Sequence, residues 1–142
     1  EGVCPICRMV EGELAEGERL VAANDFFVAF IPYAAFSPFH LWVVPRRHGP
    51  TFLDQSPGEL RQLADILRRV FARLYRALND PDYNYIIRSA PVRDNASAYL
   101  HWYVSIVPRV TKAAGFELGS GMSINPVLPE EAARVLREVE ST

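Results

Sequence analysis

The sequence has few of the residues that most often build metal and nucleophilic sites, with only two cysteines and three histidines among 142 residues. It also lacks any apolar run near the ~20 residues that a membrane-spanning helix needs, and no secretory signal pattern precedes the fold. A net charge of -2 gives no electrostatic basis for binding nucleic acid or an anionic membrane. We therefore expect no nucleic-acid partner, no membrane partner and, by default, a cytoplasmic protein.

The composition predicts a globular chain with one core. Hydrophobic residues make up 49% of the sequence and charged residues 23%, and 142 residues are enough for a single domain spanning 1–142. Because the chain begins at Glu1 rather than methionine, with a motif only three residues in, we expect it to be part of a longer natural sequence.

The two cysteines form a C-x-x-C pair, Cys4 and Cys7. A disulfide, a redox motif and half of a metal site are the three interpretations. A redox pair normally follows a strand, which cannot precede residue 4, and a disulfide is disfavoured in a reducing compartment. A zinc site needs two further ligands, and only His40, His48 and His101 are available. The spacing alone leaves the metal interpretation open.

Hydrophobic periodicity predicts five strands and two main helices. The long helix begins after Ser56, which forms a capping box with Glu59 and precedes Pro57, and its arginines are interpreted as a solvated face. A second helix begins at Pro129. The strands are predicted at 20–23, 26–31, 39–44, 83–89 and 101–109.

The strand at 101–109 resembles the histidine-triad signature, in which alternate histidines on one face of a strand hold and attack a phosphate. The alternation here is His101, Tyr103 and Ser105, so only the first position is filled. Downstream, Gly115, Gly119 and Gly121 predict a loop that could approach a ligand closely or line an anion-binding nest, although such loops often only turn the chain.

Five segments together resemble the C-terminal half of the galactose-1-phosphate uridylyltransferase family, in particular its zinc-containing branch, which includes ADP-glucose phosphorylase. The segments are CPIC at 4–7, FFVAFIPYAAFSPFHLWVVPRRH at 26–48, NDPDYNYIIRSAP at 79–91, HWYVSIVPR at 101–109 and GFELGSGMSINPVLPEEAA at 115–133. The resemblance implies an α+β, histidine-triad-like domain: a mainly antiparallel five-stranded sheet with one long helix and one C-terminal helix.

The resemblance also implies functions for individual residues. In this family the N-terminal half carries a nucleophilic histidine in a His-Pro-His motif, which this chain lacks. Tyr103 stands at the nucleophile position, and a phenol is a poor nucleophile at neutral pH without a partner base. The zinc ligands of the family correspond to Cys4, Cys7, His48 and His101, and four protein ligands imply a structural Zn²⁺. His40 is not assigned to the metal and is interpreted as a surface or inter-strand histidine.

By the same resemblance, the segment 115–125 contacts a sugar phosphate or sugar nucleotide. Its glycines would allow backbone approach, and its side chains would contact the sugar through Phe116, Glu117 and Asn125. The resulting hypothesis is a half-domain of a nucleotidyltransferase that works with an N-terminal half or with a second subunit of a homodimer. The alternative is a stand-alone, degenerate histidine-triad module that binds a nucleotide or phosphosugar without catalysis.

Overall fold

The fold is a five-stranded antiparallel sheet with helices on both faces, seen in a computed structural model that describes residues 4–94 and 98–139. The strands are β1 (Leu20–Ala23), β2 (Phe27–Phe30), β3 (Leu41–Pro45), β4 (Tyr83–Arg88) and β5 (Tyr103–Pro108). The helices are α1 (Pro5–Glu16), α2 (Pro57–Leu78), α3 (Gly115–Ser120) and α4 (Pro129–Glu138). The predicted α+β class is thereby confirmed.

The strand order in the sheet is β1-β2-β3-β5-β4, and each neighbouring pair is antiparallel. The pairing of β3 with β5 places Val43 opposite Val104, so the end of β3 and the start of β5 meet at one end of the sheet. This register fixes where the residues just after β3 and just before β5 lie relative to each other.

The main core lies between the sheet and α2. The predicted capping box is present: the Ser56 hydroxyl accepts the Glu59 N–H, while the Glu59 carboxylate accepts the Ser56 N–H. These contacts start a 22-residue helix at Pro57. Its buried side chains are Leu63, Ile66, Val70 and Leu74. They pack with Trp102 and with small apolar residues of α4 in one hydrophobic cluster, which confirms the predicted amphipathic helix.

A smaller core lies on the opposite face, under α1. Val10 of this helix packs on Val28, Phe30 and Val44 of the sheet. Helix α1 is not among the elements predicted above, although proline in the first turn and a glycine just beyond the last turn are both present. That glycine, Gly17, has φ 74°, a conformation that glycine adopts without a steric penalty.

Two predicted elements differ from the structure. Strand β3 begins at Leu41 rather than Phe39, because Phe39 has φ 60° and so cannot lie in an extended strand. The predicted glycine-rich loop is helical over Gly115–Ser120, because the Glu117 carboxylate accepts the Ala114 N–H at 2.7 Å and caps the turn. Within the described part of the chain, no helix combines the length and apolar character needed to cross a membrane.

Candidate functional site

The four predicted metal ligands converge at the end of the sheet where β3 ends and β5 begins. Cys4 is the residue before α1 and Cys7 lies in its first turn, so the helix start fixes the spacing of the two thiols. His48 follows β3, and His101 precedes β5. The loop between β3 and α2 is held against β5 because the Trp102 N–H donates to Gly49 O at 2.9 Å. Three segments distant in sequence therefore supply one cluster.

The spacing of the donor atoms suits a tetrahedral metal. The ligand atoms of the four residues all lie within 4.8 Å of one another. The Cys7 Sγ lies 3.4 Å from His48 Nδ1 and 3.3 Å from His101 Nδ1, and the Cys4 Sγ lies 3.8 Å from His101 Nδ1. Bonds of about 2.3 Å to sulfur and about 2.0 Å to nitrogen, at tetrahedral angles, separate such atoms by about 3.5 Å. The cluster could therefore hold a metal ion.

His101 is oriented for coordination by a backbone carbonyl. Its Nε2 lies 3.0 Å from Pro45 O, and since a carbonyl only accepts, Nε2 must carry the proton. The Nδ1 lone pair then faces the two sulfurs, an arrangement that is usual for a histidine ligand. Sequence reasoning missed Pro45, because a backbone carbonyl leaves no signal in the sequence and only the sheet register places it there.

Burial sets the protonation of the cluster. It lowers the pKa of His101, with the neighbouring His48 adding to the effect, and so favours the neutral imidazole that binds metals. Burial also raises the pKa of the Cys7 thiol to about 11, and Cys4 and Glu11 act in the same direction. A bound cation would reverse that second effect, because a coordinated thiol is deprotonated. The donor set thus fits a soft or borderline divalent metal such as zinc.

His40 lies outside the cluster and bonds between strands. Its Nε2 lies 2.9 Å from the Ser105 Oγ of β5 and accepts the Trp42 Nε1–H at 3.1 Å. The side chain is 3% exposed, and burial, with Arg88 adding repulsion, lowers the pKa of His40 to about 4. The imidazole is therefore neutral at physiological pH, and the inter-strand interpretation of His40 is confirmed.

His101, just before β5, and the alternating residues Tyr103 and Ser105 within the strand all have internal contacts. His101 lies in the cluster, Tyr103 stacks on Trp42 with ring centroids 4.4 Å apart, and Ser105 bonds to His40. Tyr103 also lines a shallow cavity of about 200 Å³ with Arg88 and Ser89. His101 precedes β5, and the strand itself contains no histidine, so Tyr103 and Ser105 fill the alternate positions after it.

The segment 115–125 is largely exposed. Gly115 and Gly119 have helical backbone conformations, and only Gly121 has a positive φ, of 72°. The amide of Asn125 donates to Ala35 O at 3.0 Å and accepts the Val127 N–H, so it anchors the end of the segment. The Phe116 ring is 55% exposed. Glu117 and Asn125 are thus engaged within the chain, while Phe116 belongs to neither of the two hydrophobic clusters of the described residues.

Comparison with known proteins gives the family. The family model described as "Galactose-1-phosphate uridyl transferase, C-terminal domain" matches residues 6–142. The chain is 35% identical over 143 residues to ADP-glucose phosphorylase of Arabidopsis thaliana, covering 99% of this chain and 39% of the relative. It is 36% identical to galactose-1-phosphate uridylyltransferase of Thermotoga maritima, covering 96% of this chain and 45% of the relative. The chain therefore spans less than half the length of these relatives.

Comparison with solved structures supports the same family. The crystal structure of Arabidopsis thaliana ADP-glucose phosphorylase with bound ADP-glucose superposes with a TM-score of 0.87 at 34% identity, covering 98% of this chain and 44% of that one. A zinc-bound histidine triad family protein from Mycobacterium smegmatis superposes with a TM-score of 0.66 at 20% identity, covering 94% of this chain and 90% of that one, which shows a shared fold. The chain belongs to the galactose-1-phosphate uridylyltransferase family of nucleotidyltransferases and corresponds to its C-terminal domain.

Proposed function

We propose that this chain is the zinc-stabilised C-terminal half of an enzyme that transfers a nucleotidyl group between a sugar nucleotide and a sugar phosphate, and that it contributes structure and substrate contacts rather than the nucleophile. The observation that carries the proposal is the engagement of β5: Tyr103 is stacked and Ser105 is hydrogen-bonded at the positions where an active histidine triad needs histidines. The chemistry would then belong to the N-terminal half, which the relatives' greater length can accommodate.

The proposed metal is one Zn²⁺ held by Cys4, Cys7, His48 and His101. With four protein ligands, zinc has no open position for water or substrate, so the ion would be structural. It would tie the start of α1 to the ends of β3 and β5. Support comes from the donor chemistry, from the distances of 3.3–3.8 Å between sulfur and nitrogen donors, and from the fixed tautomer of His101.

The proposed pairing surface is the β4 edge of the sheet. All six residues of β4 are exposed, and four of them are large and apolar: Tyr83, Tyr85, Ile86 and Ile87. Beside them lies an apolar groove of about 330 Å³, lined on the α2 side by Leu67 and Phe71. An unpaired apolar edge strand readily pairs with another strand. We assign the edge to a strand of the preceding half, since the relatives have more than half of their length outside the matched region.

The segment 115–125 is the proposed sugar-phosphate contact. Phe116 is exposed and available to cover a ring face, whereas the Gly121 N–H already donates to Glu117 O at 2.9 Å. Glu117 and Asn125 would contact sugar hydroxyls in addition to the hydrogen bonds that they already make within the chain. A site of this kind is complete only when the preceding half or a second subunit covers it.

The chain alone should form no covalent nucleotidyl intermediate. After incubation of the zinc-loaded chain with radiolabelled UDP-glucose or ADP-glucose and a denaturing gel, we expect an unlabelled protein. A labelled band that disappears in Tyr103→Phe would contradict the assignment of Tyr103 as a non-nucleophile. Calorimetric titration with the same nucleotides separates the two functions weighed above: micromolar binding by the chain alone would favour the stand-alone binding module over the half-enzyme.

A further inference from the structure

The two edges of the sheet differ in how their backbone groups are satisfied. At the β1 edge, three arginines donate to carbonyl oxygens: Arg69 to Ala23 O at 3.3 Å, Arg73 to Val21 O, and Arg137 to Leu20 O at 2.6 Å. Arg69 and Arg73 lie on α2, whereas Arg137 lies on α4. Two helices therefore direct guanidinium groups at one edge strand, which corrects the interpretation of the α2 arginines as a uniformly solvated face.

The arginines lie close to one another, although like charges repel. Burial lowers the pKa of Arg73, and Arg69 and Arg137 lower it further. No carboxylate of the described residues forms an ion pair with Arg73 or Arg137. Arg137 also donates to Glu18 O at 2.8 Å, just before β1. The carbonyl groups of the edge are thus the partners that hold this cluster of cations in place.

The β4 edge has the opposite character. Pairs in an antiparallel ladder alternate between hydrogen-bonded and non-hydrogen-bonded. The Arg109 N–H donates to Asp82 O, and Pro108, which has no N–H, pairs with Tyr83. The pair of Asp82 and Arg109 is therefore hydrogen-bonded, whereas the pairs that contain Tyr83 and Tyr85 are not. The backbone N–H and C=O of Tyr85 consequently point away from β5 and can receive another strand.

We propose that Arg69, Arg73 and Arg137 close the β1 edge against strand pairing, so that the sheet can be extended only at β4. The inference rests on the proposed pairing at β4 for its role in the protein, whereas the closure of β1 stands on the arginine contacts. An edge strand whose carbonyls are already bonded offers an incoming strand few acceptors. With one open edge, association ends when two sheets have joined; with two open edges it continues into longer assemblies.

The test replaces the three arginines by methionine, which removes the guanidinium donors and keeps an aliphatic side chain of similar length. The variant Arg69→Met, Arg73→Met, Arg137→Met is compared with a control of equal charge and added hydrophobicity from the same helices, Arg61→Met, Arg68→Met, Arg134→Met. Mass is measured by light scattering after gel filtration over a hundredfold range of concentration. We expect wild type and control to reach at most a dimer, and the edge variant to form species beyond the dimer that grow with concentration. An edge variant with a native circular dichroism spectrum and no species larger than wild type would overturn the proposal.

Two further variants separate the possible failures. If the triple variant does not fold, Arg69→Met, Arg137→Met is judged by the same mass criterion, because it keeps the short contact from Arg73. Tyr85→Pro removes an outward N–H of β4, and Tyr85→Thr is its matched control. If wild type is a dimer that Tyr85→Pro leaves intact, or if Tyr85→Pro leaves the larger species of the triple variant intact, pairing at β4 is wrong, whereas the closure of β1 is still decided by the arginine variants. In the triple variant, Tyr85→Pro should limit assembly to dimers.

Discussion

The cluster of Cys4, Cys7, His48 and His101 is built from residues that converge from distant parts of the chain, whereas the segment 115–125 is largely exposed. In the cluster, four donors from three separated segments converge within 4.8 Å, and a backbone carbonyl orients one of them. In the segment, Glu117 bonds to the backbone of Ala114 and Asn125 to that of Ala35, while Phe116 and Leu118 are exposed. The donors of the first region all come from this chain, whereas the second region leaves large apolar side chains exposed.

The difference indicates how a half-domain divides its functions. A structural metal acts on the fold that surrounds it, so all of its ligands can come from one half. A substrate contact in a shared site acts only when the other half is present, and until then its apolar residues remain exposed. We therefore expect changes at the cluster to alter the stability of the chain, and changes at the segment to alter only the activity of the assembled enzyme.

The largest expected effect is that of removing a ligand of the proposed zinc. Protein that has never met a chelator should contain one zinc per chain by elemental analysis. Cys7→Ser should abolish this zinc, lower the free energy of unfolding by about 4 kcal/mol or more and lower the midpoint of thermal unfolding by more than about 10 °C. The physical reason is that metal binding and the positioning of α1, β3 and β5 are coupled.

The control combines the chelator with the Cys7→Ser variant, because two ways of removing the same metal should not have additive effects on stability. A strong chelator should lower the melting temperature of wild type to that of Cys7→Ser, and it should leave the variant unchanged. Added zinc should restore only wild type. Wild-type protein without any transition metal, or with a stability that chelation does not change, would contradict the zinc proposal and remove the contrast with the segment.

The second expected effect separates His40 from the two cluster histidines. The pKa of His40 is about 4 in the folded chain and near its ordinary 6.5 when unfolded. The unfolded chain therefore binds more protons between these values. His40 contributes its full stability above pH 6.5 and loses about 1.4 kcal/mol per pH unit as the pH falls toward 4, about 3 kcal/mol in total.

The measurement compares slopes of unfolding free energy against pH. With saturating zinc, wild type should lose stability more steeply between pH 6.5 and 4 than His40→Gln, which has no titrating group at this position. Acid release of zinc affects both proteins, so the difference in slope isolates His40. Parallel slopes would mean that His40 titrates with the same pKa in the folded and unfolded chain, against its 3% exposure.

Local signals predicted the elements whose causes are local. The capping box at Ser56 and Glu59 fixed the start of α2, and alternation of apolar residues identified five strands. The cluster was predicted through resemblance, because nothing in the spacing of Cys4 and Cys7 specifies which histidines join them. Its assembly depends on the register of β3 with β5, which sequence patterns do not encode directly.

The errors have physical causes as well. The glycines of the segment predict a loop because they suggest turn chemistry, whereas the structure has a helix at Gly115–Ser120, where the Glu117 carboxylate accepts a backbone N–H. Helical periodicity predicts a solvated face for the arginines of α2, because it gives the face on which a residue lies and not the reach of its long side chain. Arg73 reaches a carbonyl of an edge strand, a partner that no periodicity reveals.

Glu117→Ala should have the smallest effect on the stability of the chain. Its effect on the activity of the assembled enzyme should be the most selective. The carboxylate caps only a six-residue exposed helix, so the stability of the chain should change by no more than about 0.5 kcal/mol. In the two-half enzyme, use of the sugar phosphate should weaken about tenfold for each 1.4 kcal/mol of lost contact, while nucleotidylation by the sugar nucleotide falls less.

Glu131→Ala is the matched control for this change, since it removes an exposed acid of α4 whose ion-pair partner is Arg134. Glu117→Gln should recover part of the lost activity if the side chain accepts a hydrogen bond from a sugar hydroxyl, because the amide retains an oxygen acceptor. Equal kinetics for wild type and Glu117→Ala with both substrates would make the segment purely structural. A large loss of stability in the isolated chain would show that the segment belongs to the fold as firmly as the metal cluster does, and the distinction between the two regions would no longer hold.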